Sequence, residues 1–224
     1  MTVMSERIRI CVSLESESPW LVNKILQNLV EKGVDLAEVK IPISGEKIGN
    51  LERVIGNYSS KLIVKPVFEN RHGFPVLKRV VEQRPFYLEL DIDVTRRFPE
   101  ILDLVIENDV FLMVSIDYGH SPSVDELVHD VIRALNQSDL VKVTFPAENY
   151  EDNLKVLEVY KSLREDSNRM VIVAKNEKGY LSQLLLPLLG APFTVASTDE
   201  EKNSSYINYR AIQVFYGILN SLKS

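Results

Sequence analysis

The chain has 224 residues, 45% of them hydrophobic and 26% charged, with a formal net charge of −6. That length and composition fit one globular domain with a full core, while Lys and Arg are scattered without the basic run or stripe of a nucleic-acid face. No apolar run approaches the roughly 18 residues that a membrane-crossing helix needs, and the single cysteine, Cys11, excludes an internal disulfide framework and suits a reducing cytoplasm.

From the N-terminus, Met1 to Arg9 carries charge but no apolar signal core, so no export signal is expected. Arg9–Leu14 reads as a strand. Pro19 opens a helix through Leu21, Ile25, Leu26 and Leu29 that stops at Gly33. Val34–Ile41 is a second strand, and residues 44–58 form a weaker helix. Lys61–Val67 is a third strand, with Pro66 near its end because proline cannot donate to a ladder. Pro75–Gln83 is a helix, Phe86–Ile92 a strand, Arg96–Asn108 a helix and Val110–Ile116 a strand. Ser123 caps a helix in the pattern Ser-Val-Asp-Glu, with an apolar stripe at Val124, Leu127, Val128, Val131, Ile132 and Leu135. Ser138–Phe145 is a strand, and Glu148–Arg164 a helix. Met170–Ala174 is a strand, Leu181–Leu189 lies in a helix, Pro192–Ala196 is a strand, and Tyr206–Leu222 is the last helix.

Strands that alternate with helices must run parallel, joined by crossovers. Eight such units, spaced about 25 to 30 residues apart, predict an α/β fold: a single (β/α)8 TIM barrel spanning residues 1–224. An open doubly wound sheet is the alternative, but no Gly-x-Gly-x-x-Gly follows the first strand.

A barrel of this kind carries its site at the C-terminal ends of its strands. Residues i and i+2 of a strand share a face, and polar residues recur in that phase: Glu38 and Lys40, then Lys65, Glu89 and Asp91, Ser115 and Asp117, Lys142 and Thr144, Lys175, and Thr194. Interior positions would otherwise be Val, Ile and Leu. The recurrence on seven strands predicts a charged pocket for an anionic, hydroxylated small molecule. Lys142 is singular because it lies mid-strand between Val141 and Val143. Burial predicts a lowered pKa, and a neutral amine attacks carbonyls. On chemistry alone the lysine could form a Schiff base or contact a phosphate or carboxylate. His129 reads as a boundary residue and His72 as a loop residue. No His, Cys and carboxylate spacing predicts a metal.

The order of these motifs resembles the type I 3-dehydroquinate dehydratases over essentially the whole chain. Gly33–Lys40 is similar to that family's ADxxExR strand, Tyr87–Asp91 to its DxE strand, and Val114–Tyr118 with Ser121-Pro122-Ser123 to SxHDF…TPS. Ser138–Val143 matches aDivKia and is the most specific piece. Gly179–Gln183 with Gly190 and Thr194 resembles GxxSR…GSxxT, and Ser204–Asn208 falls at a Ser-Ala-Pro-Gly-Gln loop. The resemblance implies a shikimate-pathway lyase that converts 3-dehydroquinate to 3-dehydroshikimate. It implies Lys142 as the imine-forming residue, no cofactor, and a homodimer. Several positions differ from the family pattern. Asp117 stands at the histidine and Gln183 at the carboxylate-binding arginine. Lys40 stands at the strand-two arginine, with Pro42 where an acid follows, Asp91 at the strand-four acid, and Lys175 at a methionine.

The expected catalytic set is therefore Lys142 with Asp117 or His120 as base, the aspartate serving if burial raises its pKa. The expected substrate contacts are Glu38, Lys40, Lys65, Asp91, Lys175, Gln183, Ser204 and Asn208. Another Schiff-base lyase or aldolase, or a non-catalytic barrel that binds a small anionic ligand, is the alternative.

Overall fold

In the computed structural model, residues 8–15, 19–43, 49–68, 74–198 and 204–222 are described. Eight strands alternate with helices along the chain: β1 (Ile10–Glu15), β2 (Leu36–Ile43), β3 (Leu62–Phe68), β4 (Tyr87–Asp91), β5 (Phe111–Asp117), β6 (Leu140–Pro146), β7 (Met170–Lys175) and β8 (Thr194–Ala196). They form one sheet in the order β7-β6-β5-β4-β3-β2-β1-β8. Every pair in it is parallel. β1 therefore lies between β2 and β8, and the sheet curls into a nearly closed (β/α)8 barrel. Pro66 pairs in register with Ile41, two residues before β3 ends.

The helices pack outside, on the faces that the apolar stripes predict. α1 (Pro19–Glu31) buries Val22, Leu26 and Leu29. It ends at Gly33, whose φ of 77° is a left-handed value that glycine adopts without strain. α2 (Gly49–Asn57) and α3 (Phe74–Glu82) follow β2 and β3. After β4 the helical segment is split. Asp91 caps α4 (Ile92–Arg97) by accepting from the Asp93 N–H, and α5 (Glu100–Glu107) starts after Phe98 and Pro99. The sequence reading placed Ile92 in the strand and ran one helix from Arg96 to Asn108. Pro99 has no N–H to continue a ladder and disfavours helical backbone at Phe98, so the helix breaks there.

α6 (Val124–Leu135) starts on the predicted capping box: Ser123 and Glu126 each bond the other's backbone N–H. α7 (Asp152–Ser162) begins four residues later than the sequence reading set it, because the Asp152 carboxylate accepts from the N–H groups of Glu148 and Asn149 and holds them as a turn. α8 (Tyr180–Leu185) runs into a 3-10 turn at Leu186–Leu189, and α9 (Tyr209–Ser221) closes the chain.

No strand ladder joins β7 to β8 among the described residues. Gln183 of α8 stands at that seam. Its side-chain Nε2 donates to Ala174 O of β7 at 2.7 Å, and its backbone carbonyl accepts from Thr194 Oγ1 of β8 at 2.6 Å.

Candidate active site

The polar residues predicted to share a face do so inside the barrel, except Thr194, which pairs with Ile10, one residue out of phase with inward-facing Ser13, and turns its hydroxyl outward to Gln183 O of α8. Lys142 is 2% exposed on β6, flanked by fully buried Val141 and Val143 that point to the helices. Its Nζ donates to Glu38 of β2 and lies 3.2 Å from Glu89 Oε2 of β4. Lys65 of β3 reaches the same Glu89 at 2.7 Å and donates to Ser115 Oγ of β5 at 3.2 Å. Ser13 of β1 donates to Glu38 Oε1 at 3.2 Å. Six adjacent strands thus contribute to one network of two lysines, two glutamates and two serines.

Two ammonium and two carboxylate groups balance there, which makes their burial tolerable. Burial alone disfavours the charged form of each. For Lys142 the charges of Glu38 and Glu89 outweigh it and raise the pKa above the ordinary lysine range, opposite to the fall that burial predicts. Burial and then Glu89 raise the Glu38 carboxyl, against the lowering by Lys142 and Lys65. At Glu89 burial is overcome by Lys142 and Lys65, which hold its carboxyl at about 2. The site therefore holds a charged lysine beside Glu38, the more basic of the two carboxylates.

A second cluster lies at the β5, β6 and β7 ends. Asp117 Oδ1 accepts from Thr144 Oγ1 at 2.6 Å and from Lys175 Nζ at 2.7 Å. Despite partial burial, those two hydrogen bonds and the Lys175 charge hold the Asp117 carboxyl below its ordinary value. The raised aspartate pKa considered from sequence is not what the surroundings produce. His120 is exposed on the following loop, its ring edge-on to Tyr118 with centroids 5.8 Å apart. That loop is fastened to α7: Ser121 Oγ donates to Asp152 Oδ1 at 2.7 Å. His129 is exposed on α6, and His72 lies outside the described residues.

Lys40 is half-buried and stands in register with Lys65 across β2 and β3, which sets two cations at one height of the barrel. Asp91 caps α4, and Glu89, two residues deeper on the same face, is the strand-four acid that meets Lys142. Gln183 is fully buried; its amide donates to Ala174 O and Ser205 O and accepts from the Ile207 N–H. Ser204 accepts from the Tyr206 N–H, and Asn208 caps α9 while its Nδ2 donates to Thr198 O. These last three residues build the loop before α9. Tyr206, in the same loop, is half-buried and packs against the core.

A family model described as type I 3-dehydroquinase matches residues 10–223. The chain belongs to the type I 3-dehydroquinase family. A 3-dehydroquinate dehydratase from Dehalococcoides mccartyi is 29% identical over 138 residues, which is 61% of this chain and 60% of that relative's length. A 3-dehydroquinate dehydratase from Coxiella burnetii is 24% identical over 226 residues, covering 93% of this chain and 92% of that one. The crystal structure of the 3-dehydroquinate dehydratase from Geobacillus kaustophilus shares the fold, with a TM-score of 0.79 at 17% identity over 96% of this chain and 92% of that chain. Within this family's barrel, the buried lysine and its two carboxylates occupy the centre, and the Asp117–Lys175 pair sits at the rim.

Proposed function

We propose that this chain dehydrates 3-dehydroquinate to 3-dehydroshikimate through a Schiff base on Lys142. The observation that carries the reading is a lysine 2% exposed, mid-strand in a type I 3-dehydroquinase barrel and held between Glu38 and Glu89. Glu38, the carboxylate whose affinity for protons burial raises, takes the proton from the ammonium and frees the amine for attack. The imine then acidifies the neighbouring carbon, which compensates for a weak base. Asp117 is the better-placed base of the two candidates, because it pairs in register with Thr144, two residues from Lys142 on the same strand face, while His120 lies on the loop beyond β5. Lys40 and Lys65 hold the substrate carboxylate as point charges, without an arginine's bidentate fork.

Borohydride added with saturating 3-dehydroquinate should leave a stable adduct on Lys142, read by mass spectrometry, and turnover should be measurable across pH. Adduct without dehydration would favour another Schiff-base lyase or aldolase. Neither adduct nor turnover from a folded protein would favour a non-catalytic anion-binding barrel.

A homodimer is part of the same reading. α9 has no charged residue after Arg210 and exposes Val214 and Ile218, with Leu222 exposed just beyond it, an apolar stripe that a second copy would cover. Sedimentation of the wild type and of Ile218→Glu tests it: an unchanged dimer in the variant rules this face out. The expected cytoplasmic location is tested by cell fractionation.

A further inference from the structure

The ends of β5, β6 and β7 carry a cation that imine formation leaves without a task. Asp117 pairs in register with Thr144 and Ser115 with Lys142, while Thr144 pairs with Val173, two residues before Lys175. Asp117, Thr144 and Lys175 therefore share the inward phase of Lys142. Asp117 and Thr144 stand one step, about 7 Å, beyond it towards the C-terminal mouth. The step below Lys142 is closed by Met113 and Leu140, paired in register and buried. A substrate joined to Lys142 extends towards the three polar residues.

Their hydrogen bonds are unevenly shared. Asp117 Oδ1 accepts from Thr144 Oγ1 at 2.6 Å and from Lys175 Nζ at 2.7 Å, and Oδ2 accepts from no group among the described residues. An ammonium has three donors. That of Lys175, its side chain 21% exposed, gives one to Asp117 and none to any other described side chain. The β7 end that carries it is fixed: the Lys175 carbonyl accepts from the Ala147 N–H at 3.1 Å, and the Asn176 N–H donates to Ser205 O at 2.8 Å. A pinned carboxylate with one open oxygen, bonded to an ammonium with open N–H groups, sets a base and an acid side by side.

We propose that Lys175 is the general acid of the dehydration, protonating the hydroxyl that leaves while Asp117 Oδ2 takes the proton from the neighbouring carbon; this rests on the Schiff-base reading above, with Asp117 as base. Oδ2 removes a proton from the carbon beside the iminium. The C–H pair becomes a C=C bond, and the C=N π pair moves to nitrogen. The nitrogen pair then re-forms the iminium, the C=C pair shifts to the next bond, and the C–O bond breaks. Its electron pair leaves with the oxygen, which takes a proton from Lys175 and departs as water. The Asp117 carboxyl returns its proton to the Lys175 amine across their hydrogen bond, so protons and charge balance. Two hydrogen bonds at Oδ1 keep the carboxyl from turning to deliver its own proton to the hydroxyl, and the adjacent ammonium delivers one without that turn.

Lys175→Met removes the ammonium. Lys175→Arg keeps a cation and a donor for Asp117 but does not deprotonate. Each variant is assayed in D2O near neutral pH for turnover of 3-dehydroquinate, for deuterium entering the methylene beside the ketone of recovered substrate, and for the borohydride adduct on Lys142. The expected result in both is a kcat lower by about 10²-fold, a KM within about two-fold and an undiminished adduct. Deuterium should enter recovered substrate above the enzyme-free rate and faster than product forms, because proton removal survives the loss of the acid. Turnover near the wild-type rate in either variant overturns the proposal; in Lys175→Arg it would mean that charge and positioning suffice. Exchange and turnover falling together also overturn it, and assign Lys175 to holding Asp117 in place. Turnover lost in proportion to melting temperature in both variants overturns it in favour of a structural role. Full exchange in Asp117→Asn overturns the assignment of the base, and the pairing with it. Absence of any adduct in the wild type is a separate failure, of the Schiff-base reading itself.

Discussion

Lys142 and Glu38 sit on strands four places apart in an eight-stranded sheet, yet their side chains are bonded. In a flat sheet four strand spacings would separate them by about 19 Å. Their contact is across the barrel interior, so the fold and the site are made by the same pair. Removing one member leaves a buried charge unpaired. Lys142→Met is expected to cost about 3–5 kcal/mol in urea unfolding at pH 7. Glu38→Gln added to it should recover part of that loss. The sign with pH follows from Glu38. Without Lys142 its folded pKa lies further above the unfolded value, so the folded state binds more protons. The single variant should therefore gain stability as pH falls from neutral through the raised Glu38 pKa towards its ordinary value of 4.5. Additive losses in the double variant would show that the two side chains are energetically independent.

The base is decided by separating Asp117 from His120. Asp117→Asn keeps the hydrogen bond to Thr144 or Lys175 in shape but removes the charge, and is expected to lower kcat by about 10²-fold or more. His120→Ala should leave kcat within about two-fold, because the imidazole lies on the loop beyond β5, edge-on to Tyr118. Since Lys175 holds the Asp117 carboxyl below its usual value, the acid limb of the kcat/KM profile should lie below pH 4. Lys175→Met should move it upward. Equal and full activity in both single variants would remove both residues from the reaction.

The strand–helix order was legible because each strand of a parallel barrel is a short apolar run and each crossover helix has its own stripe and cap. The capping box at Ser123 and the stop at Gly33 are local chemistry, and both stand where the sequence put them. What failed locally was the weight given to Pro99, which breaks one expected helix into two. The polar barrel face was legible from period-two spacing. Which acid meets Lys142 was not, since Glu89 and Asp91 share that phase and differ only in depth along β4. Depth is set by inter-strand register, a long-range property.

Gln183 separates a positional correspondence from a functional one. It stands where the family's carboxylate-binding arginine falls, but its amide is occupied by Ala174 O, Ser205 O and the Ile207 N–H. Gln183→Leu should unfold more easily by about 2 kcal/mol or more, because buried backbone groups lose their partners. Its KM should stay close to wild type if the protein is assayed well below its melting temperature. Lys40→Met should instead raise KM about ten-fold, as expected for one lost charge-assisted contact. A large KM effect in Gln183→Leu at full stability would return that position to substrate binding.

Asp152 provides the clearest link between stability and acid. It is 1% exposed, and its carboxylate accepts from Ser121 Oγ, from Lys155 Nζ at 2.8 Å and from two backbone N–H groups. Those bonds overcome its burial and hold its carboxyl at about 2, below the ordinary value of 3.8. A depressed acid stabilises the fold at every pH above its unfolded pKa, and that contribution disappears as pH falls through about 2. Asp152→Asn should therefore lower stability at pH 7 by about 2 kcal/mol and flatten the stability profile between pH 4 and 2. Because Asp152 fastens the loop that carries His120, peptides 118–123 and 147–152 should exchange amide hydrogens faster in the variant. Urea unfolding at pH 7 and pH 3, with hydrogen exchange at neutral pH, reads both effects. If the variant loses equal stability at both pH values, its effect comes from packing and not from the carboxylate's charge.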